Sequence, residues 1–144
     1  MKVSTKGRYA LRIMLDLAIH NNAGLVPLKD IAHRQDITLK YMEQIISPLA
    51  KAGFVISLRG ANGGYRLSRK PSEYTCGDIL RVVEGPLVPT GCLEQPGIVD
   101  CARAEQCPTL SFWKGLSERI NKYVDSYTLE DLMEQASGAD DYVI

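Results

Sequence analysis

A run of apolar residues long enough to cross a bilayer is missing from this sequence, and the N-terminus lacks the apolar core of a secretory signal. Those absences point to a cytoplasmic protein. Also missing are a nucleophile motif, a P-loop and a dinucleotide fingerprint, and the two histidines, His20 and His33, lie far from every cysteine cluster. An enzyme is therefore disfavoured. Neither a C-x-x-C pair nor a ferredoxin-like cysteine run is present. Net charge is lacking as well, because 17 Lys and Arg balance 17 Asp and Glu.

That balance hides a division. Residues 1–70 hold twelve Lys and Arg against four acids, a net charge of +8, whereas residues 71–144 hold five against thirteen, a net of −8. Lys and Arg neutralise phosphates and release counterions, so the basic half is the one expected to face nucleic acid. At 144 residues the chain has room for one modest domain, or a small domain with an appendage.

The basic half carries the pattern of a DNA-reading unit. A first helix is expected from Ser4 or Thr5 to about Ile19, with Tyr9, Ala10, Ile13, Met14, Leu17 and Ala18 as its apolar stripe. Lys6, Arg8 and Arg12 lie off that stripe, where they can reach a DNA backbone. A short support helix follows over 28–34, with Leu28, Ile31 and Ala32 inward. Gln35-Asp36-Ile37 is long enough only for a turn. Thr38 then offers a hydroxyl cap to a helix whose Met42, Ile45, Ile46, Leu49 and Ala52 recur at helical spacing. Its other face presents Lys40, Tyr41, Glu43, Gln44 and Ser47, all able to hydrogen-bond. Gly53 stops it. Residues 54–58 and 65–67 read as two strands, with Asn62-Gly63 as the positive-φ dipeptide of the turn and Arg59, Gly60 and Asn62 at an unobstructed tip. Two helices, a turn and a ribbon make a winged helix-turn-helix.

Thr75 caps a further helix carrying Ile79, Leu80, Val82 and Val83, which ends at Gly85-Pro86. From there to Pro108 periodicity is lost and four prolines gather with Cys92, Cys101 and Cys107. Thiols in a reducing compartment suit metal or redox use rather than disulfides, and these three are soft ligands for zinc, cuprous copper or an iron–sulfur cluster. A loop that folds around such a centre needs no core of its own. Cys76, beside apolar residues at a helix start, reads as a small buried side chain. The last long helix, 109–127, spans roughly 28 Å. Its Phe112, Trp113, Leu116, Ile120, Tyr123 and Val124 form an apolar face that a second copy would cover. Thr128 caps a short final helix, and 137–144 reads as a frayed tail. The fold class is thus mainly α with a small β-hairpin wing. Its parts are a winged-helix region (1–70), a connecting helix and three-cysteine loop (71–108), and a dimerisation helix with its tail (109–144).

Over nearly its whole length the chain resembles the IscR-type winged-helix transcriptional regulators. The motifs that carry the resemblance are S-T-K-G-R-Y-A at 4–10, Y-M-E-Q at 41–44, R-G-A-N-G-G-Y at 59–65, G-D-I-L-R-V-V-E-G at 77–85, the three-cysteine loop, and T-L-E-D-L at 128–132. The resemblance implies a homodimeric repressor, sometimes activator, that binds double-stranded operators and senses a bound cluster, [2Fe–2S] first and [4Fe–4S] second. It implies regulation of iron–sulfur assembly or iron homeostasis genes. It also implies that the helix after Thr38 enters the major groove, that Arg59 enters the minor groove, and that Glu43 filters operators according to cluster state. Leu110 stands where many similar proteins carry a fourth ligand, His, and Arg8 where others carry an acid. The fourth ligand is then left among Glu94, Asp100, Glu105, Cys76, a partner residue or an exogenous group. The alternative within the same family is a cluster-free regulator of cysteine or sulfur metabolism that takes its signal from a partner enzyme.

Overall fold

Most of the fold is built on the first helix, α1 (Thr5–Ile19). Ser4 caps it by accepting from Gly7 N–H at 3.2 Å. Ala10, Ile13, Met14, Leu17 and Ala18 are buried along one face, as the spacing predicts. The computed structural model describes residues 1–140. Around α1 pack α2 (Leu28–Gln35), α3 (Leu39–Lys51), α4 (Cys76–Glu84), α6 (Leu129–Asp140) and the second strand of the wing. A 17-residue α5 (Leu110–Ser126) lies against α4.

The turn between α2 and α3 is closed by Ile37 N–H donating to Ala32 C=O at 3.0 Å, with Asp36 in the left-handed region at φ 54°. An Asp tolerates that conformation where a β-branched residue would not. Thr38 accepts from Tyr41 N–H at 3.1 Å and starts α3, a cap worth about 1 kcal/mol. Met42, Ile45, Ile46 and Leu49 are buried, each contributing roughly 1.5–3 kcal/mol. Ala52 departs from the predicted stripe, because it occupies the helix cap and is exposed. Pro48 sits within α3, in the last turn.

Strands β1 (Val55–Leu58) and β2 (Gly64–Leu67) pair antiparallel, Val55 opposite Leu67 and Leu58 opposite Gly64. Positive φ in the wing falls on Gly60, at 120°, and on Gly64, at 159°, and not on the predicted Asn62-Gly63 pair. The loop is five residues long, so a two-residue turn geometry does not apply. Gly64 is required for another reason: a Cβ there would lie 2.5 Å from the Val26 carbonyl oxygen. Val26 and Tyr65 exchange two backbone hydrogen bonds of 2.8 Å, a one-residue third edge to the wing too short for any sequence pattern to announce.

Thr75 and Asp78 form a reciprocal cap at the start of α4, and Cys76 is buried as expected. Its thiol is pushed above its ordinary value by that burial. Thr128 and Asp131 make the same kind of cap for α6. This last helix is longer than its capped start suggested, running through 137–140, which were expected to fray. The remaining tail, 141–144, lies outside the described residues. Leu129 is fully buried, and its N–H donates to the Tyr74 carbonyl at 3.0 Å, so the chain returns to the winged-helix core after α5. Among the described residues no helix is long and apolar enough to cross a membrane.

Candidate nucleic-acid interface and thiol loop

Because the inward face of α3 is spent on the core, its outward face is free. Lys40, Glu43, Gln44 and Ser47 are exposed there, and Thr38 stands exposed at its start with its hydroxyl engaged as the cap. Tyr41 is the exception to the predicted outward set. It is half-buried, with its ring edge-on to Tyr9 at 6.0 Å, because a large amphipathic ring at the edge of the helix face gains more by covering α1 than by standing in water. At the wing tip Arg59, Gly60 and Asn62 are all exposed. Among the described residues no ion pair engages Lys40, Glu43 or Arg59, so the groups on α3 and the tip keep their hydrogen-bonding capacity.

The basic residues of α1 divide. Lys6 is half-buried and Arg8 donates to Thr5 Oγ1 at 3.1 Å, whereas Arg12 is bound to Gln35 Oε1 at 2.8 Å and lies over the Tyr9 ring at 5.2 Å. Behind them is a polar link that sequence reasoning missed. Asp16, 5% exposed, accepts from Arg34 at 2.6 and 2.9 Å and from Gln35 at 3.1 Å. The carboxylate hydrogen bonds hold the Arg34 guanidinium above its ordinary value. The pair fixes α2 against α1 and thereby the support on which α3 rests. Its signal was available as an acid on the otherwise apolar face of α1, since Asp16 neighbours the stripe residues Leu17 and Ile13.

Cys92, Cys101 and Cys107 sit on the segment between α4 and α5, which contains only two short 3₁₀ turns, Gly91–Leu93 and Ala104–Gln106. Their backbones are laced together. Asp100 N–H donates to Cys92 C=O at 2.9 Å, Ala104 N–H to Cys101 C=O at 3.1 Å, and Cys107 N–H to Ala104 C=O at 3.3 Å. Cys92 and Cys107 are half-buried and Cys101 exposed, all as free thiols. The Thr109 hydroxyl, 3.5 Å from the Cys107 sulfur, holds that thiol below its ordinary value. The three sulfurs do not converge: among the described residues no three His, Cys, Asp or Glu side chains are grouped to hold a metal. The donor chemistry nonetheless fits a thiophilic centre, three thiols on one laced loop. Cys76 is remote from it, at the opposite end of α4 from where the loop begins, about 12 Å along the helix. Between the loop and α5 runs a cleft of about 590 Å³ lined by Leu87, Leu93, Ile98, Val99, Lys114 and Asn121, so this chain alone packs the loop incompletely.

These features are shared with known proteins. The sequence profile of the Rrf2 family, described as iron-dependent transcriptional regulators, matches residues 3–135. The HTH-type transcriptional regulator IscR of Aliivibrio salmonicida is 44% identical over 133 residues, covering 92% of this chain and 77% of that protein. The solved structure of CymR, the global cysteine regulator of Bacillus subtilis, matches with a TM-score of 0.77 at 42% identity, over 94% of this chain and 98% of that one. The structure of T. potens IscR matches with a TM-score of 0.74, also at 42% identity, over 96% of this chain and 90% of that one. With the helix-turn-helix, the wing and a profile match over nearly the full length, the chain belongs to the Rrf2 family and is a winged-helix transcriptional regulator.

Proposed function

We propose that the protein is a cytoplasmic, homodimeric repressor that reads iron–sulfur cluster status through a cluster held by Cys92, Cys101 and Cys107, [2Fe–2S] in the first instance and [4Fe–4S] in the second, and that controls cluster-assembly or iron homeostasis genes. The observation that carries this reading is the placement of three free thiols on one irregular, backbone-laced loop attached to a winged helix with an open basic face. A bound cluster would supply a redox-labile centre, with these three thiolates as its ligands. The protein's own residues do the rest. Lys40, Tyr41, Glu43, Gln44 and Ser47, with Thr38 at the start of their helix, read base edges in the major groove. Arg59, Gly60 and Asn62 enter the minor groove at the wing, and Lys6 meets a phosphate. The working parts follow the division of the sequence: residues 1–70 bind DNA, 71–108 carry the thiol loop, and 109–144 hold the dimer helix and the tail.

The test is elemental. Protein purified without oxygen should absorb in the visible and contain iron and acid-labile sulfide, and Cys92→Ala, Cys101→Ala and Cys107→Ala should each lose most of both. Full retention in any one variant removes that residue from the ligand set. A colourless, iron-free protein that still binds operator DNA would favour the second reading, a cluster-free regulator of cysteine or sulfur metabolism governed by a partner enzyme. That reading is supported by the match to the Bacillus subtilis cysteine regulator, which covers nearly all of both chains.

A further inference from the structure

The wing is a two-stranded hairpin with the one-residue edge of Val26 beside it, and so small a ribbon takes its orientation from what holds its base. Tyr74 fixes it. The side chain is fully buried, and its hydroxyl meets only atoms at the base of the wing. It donates to the Phe54 carbonyl at 2.7 Å and accepts from the N–H groups of Ser68 and Arg69, both at 3.1 Å. The Ser68 hydroxyl also lies 3.1 Å away, but its proton goes to the Gly53 carbonyl at 2.6 Å. A phenol has one proton and two lone pairs, so one donated and two accepted bonds saturate it. Phe54 leads into β1, while Ser68 and Arg69 leave β2, so this oxygen joins both legs of the ribbon, beside a direct bond of 3.3 Å from Ser68 N–H to the Phe54 carbonyl.

The ring is held as firmly as the hydroxyl. It meets Phe54 edge-on at 5.5 Å, and the Arg69 guanidinium lies over both rings, 4.9 Å from Phe54 and 4.8 Å from Tyr74. On its other side the Tyr74 carbonyl accepts from Leu129 N–H, which ties the same residue to the start of α6. We propose that Tyr74 is a positioning residue for DNA readout: its hydroxyl sets the angle of the wing against α3, so that Arg59 and the outer face of α3 reach one duplex together. This rests on the reading that the wing contacts DNA.

Tyr74→Phe keeps the ring in the core and removes only the oxygen. Its operator affinity, at one salt concentration, should fall about tenfold, because three hydrogen bonds that hold the wing are lost. Amide exchange at Arg69, which bonds to that oxygen, should accelerate while α1 and α3 keep their protection. Because the hydroxyl acts through the wing that carries Arg59, the loss in the double variant Tyr74→Phe with Arg59→Ala should fall short of the sum of the two single losses. Unchanged affinity in Tyr74→Phe beside a clear loss in Arg59→Ala overturns the positioning role and leaves the wing contact standing. Additive losses also overturn it. If Arg59→Ala itself binds normally, the wing contact fails, and the role given to Tyr74 fails with it. Should Tyr74→Phe not fold, the wild type decides: an Arg69 amide as slow as those of α3 supports the proposal, and exchange as fast as at the wing tip refutes it.

Discussion

Glu43 sets the question at the scale of single residues, because an acid on the open face of α3 is repelled by phosphates and yet is not neutralised by Lys40 one turn before it. A carboxylate there can accept a hydrogen bond from cytosine N4, and it penalises every sequence that offers it an acceptor instead. If it filters operators, Glu43→Ala will let cluster-free protein bind sites that only the loaded wild type recognises, without altering iron content. Isotherms of the two cluster-free proteins on one panel of operators check this. An equal gain on every operator would mean lost repulsion and no filter. Arg59 makes a complementary case at the wing. A cation in a narrow minor groove senses its negative potential, so Arg59→Ala should cost about 1–3 kcal/mol of binding and weigh most on A·T-rich operators. Fluorescence anisotropy at fixed salt across operators of varied A·T content measures it. Residue types and spacing put Glu43 on the outward face of its helix and Arg59 at the wing tip, and the resemblance to the IscR-type regulators implied their roles. What they left out was Tyr41's partial withdrawal onto Tyr9, since periodicity assigns a face but not which edge residue finds a covering partner.

Among the elements, α5 is the one held by charge rather than by burial. None of its residues is buried, and it is fastened to α4 by Arg81, which donates to Asp125 at 2.8 and 2.9 Å and to Asn121 at 2.8 Å. Asn121 in turn donates to the Leu87 carbonyl at 2.9 Å. The hydrogen bond from Arg81 holds the Asp125 carboxyl below its ordinary range. A carboxyl depressed in the folded state contributes stability that is complete above its unfolded value and is lost as the pH falls through its folded one. Acid should therefore loosen α5 from α4 first. Amide exchange of α5 in metal-free protein, followed below pH 4, should rise ahead of that of α1, and Asp125→Asn should remove the difference; parallel behaviour of the two helices would show that the bond does not matter. The length and apolar face of α5 were plain in the sequence. The Arg81–Asp125 link was not, because 44 positions separate its partners and no local pattern joins them.

For the whole molecule the exposed flank of α5 governs. Phe112 and Tyr123 are 63% and 64% exposed, an unusual state for two large aromatic rings on a helix with an otherwise apolar stripe. Covered by a second copy, they would contribute roughly 1.5–3 kcal/mol each per protomer. Phe112→Glu with Tyr123→Glu should thus give monomers at micromolar concentration by sedimentation. The loss of a linked second half-site should also reduce affinity for a palindromic operator by about 100-fold or more. A variant that sediments as the wild type does would refute this use of the α5 face.

What the sequence determined by itself is whatever depends on near neighbours or on simple totals. The helix caps at Ser4, Thr38, Thr75 and Thr128, the turn at Asp36, the buried stripes of α1 and α3, the buried Cys76, and the segregation of a +8 half from a −8 half are all local or compositional, so spacing and chemistry sufficed. Tertiary structure decided what depends on residues distant along the chain. It brought Val26 to Tyr65, buried Asp16 with Arg34, carried α6 back so that Leu129 entered the core, and gathered Phe54, Ser68 and Arg69 around one tyrosine oxygen. It also put positive φ in the wing at Gly60, because a five-residue loop, rather than a two-residue Asn-Gly turn, sets the path of the chain there. Side-chain periodicity reports which face of an element is apolar, but partners are chosen by the packing of whole elements, and that choice is made only when the chain closes on itself.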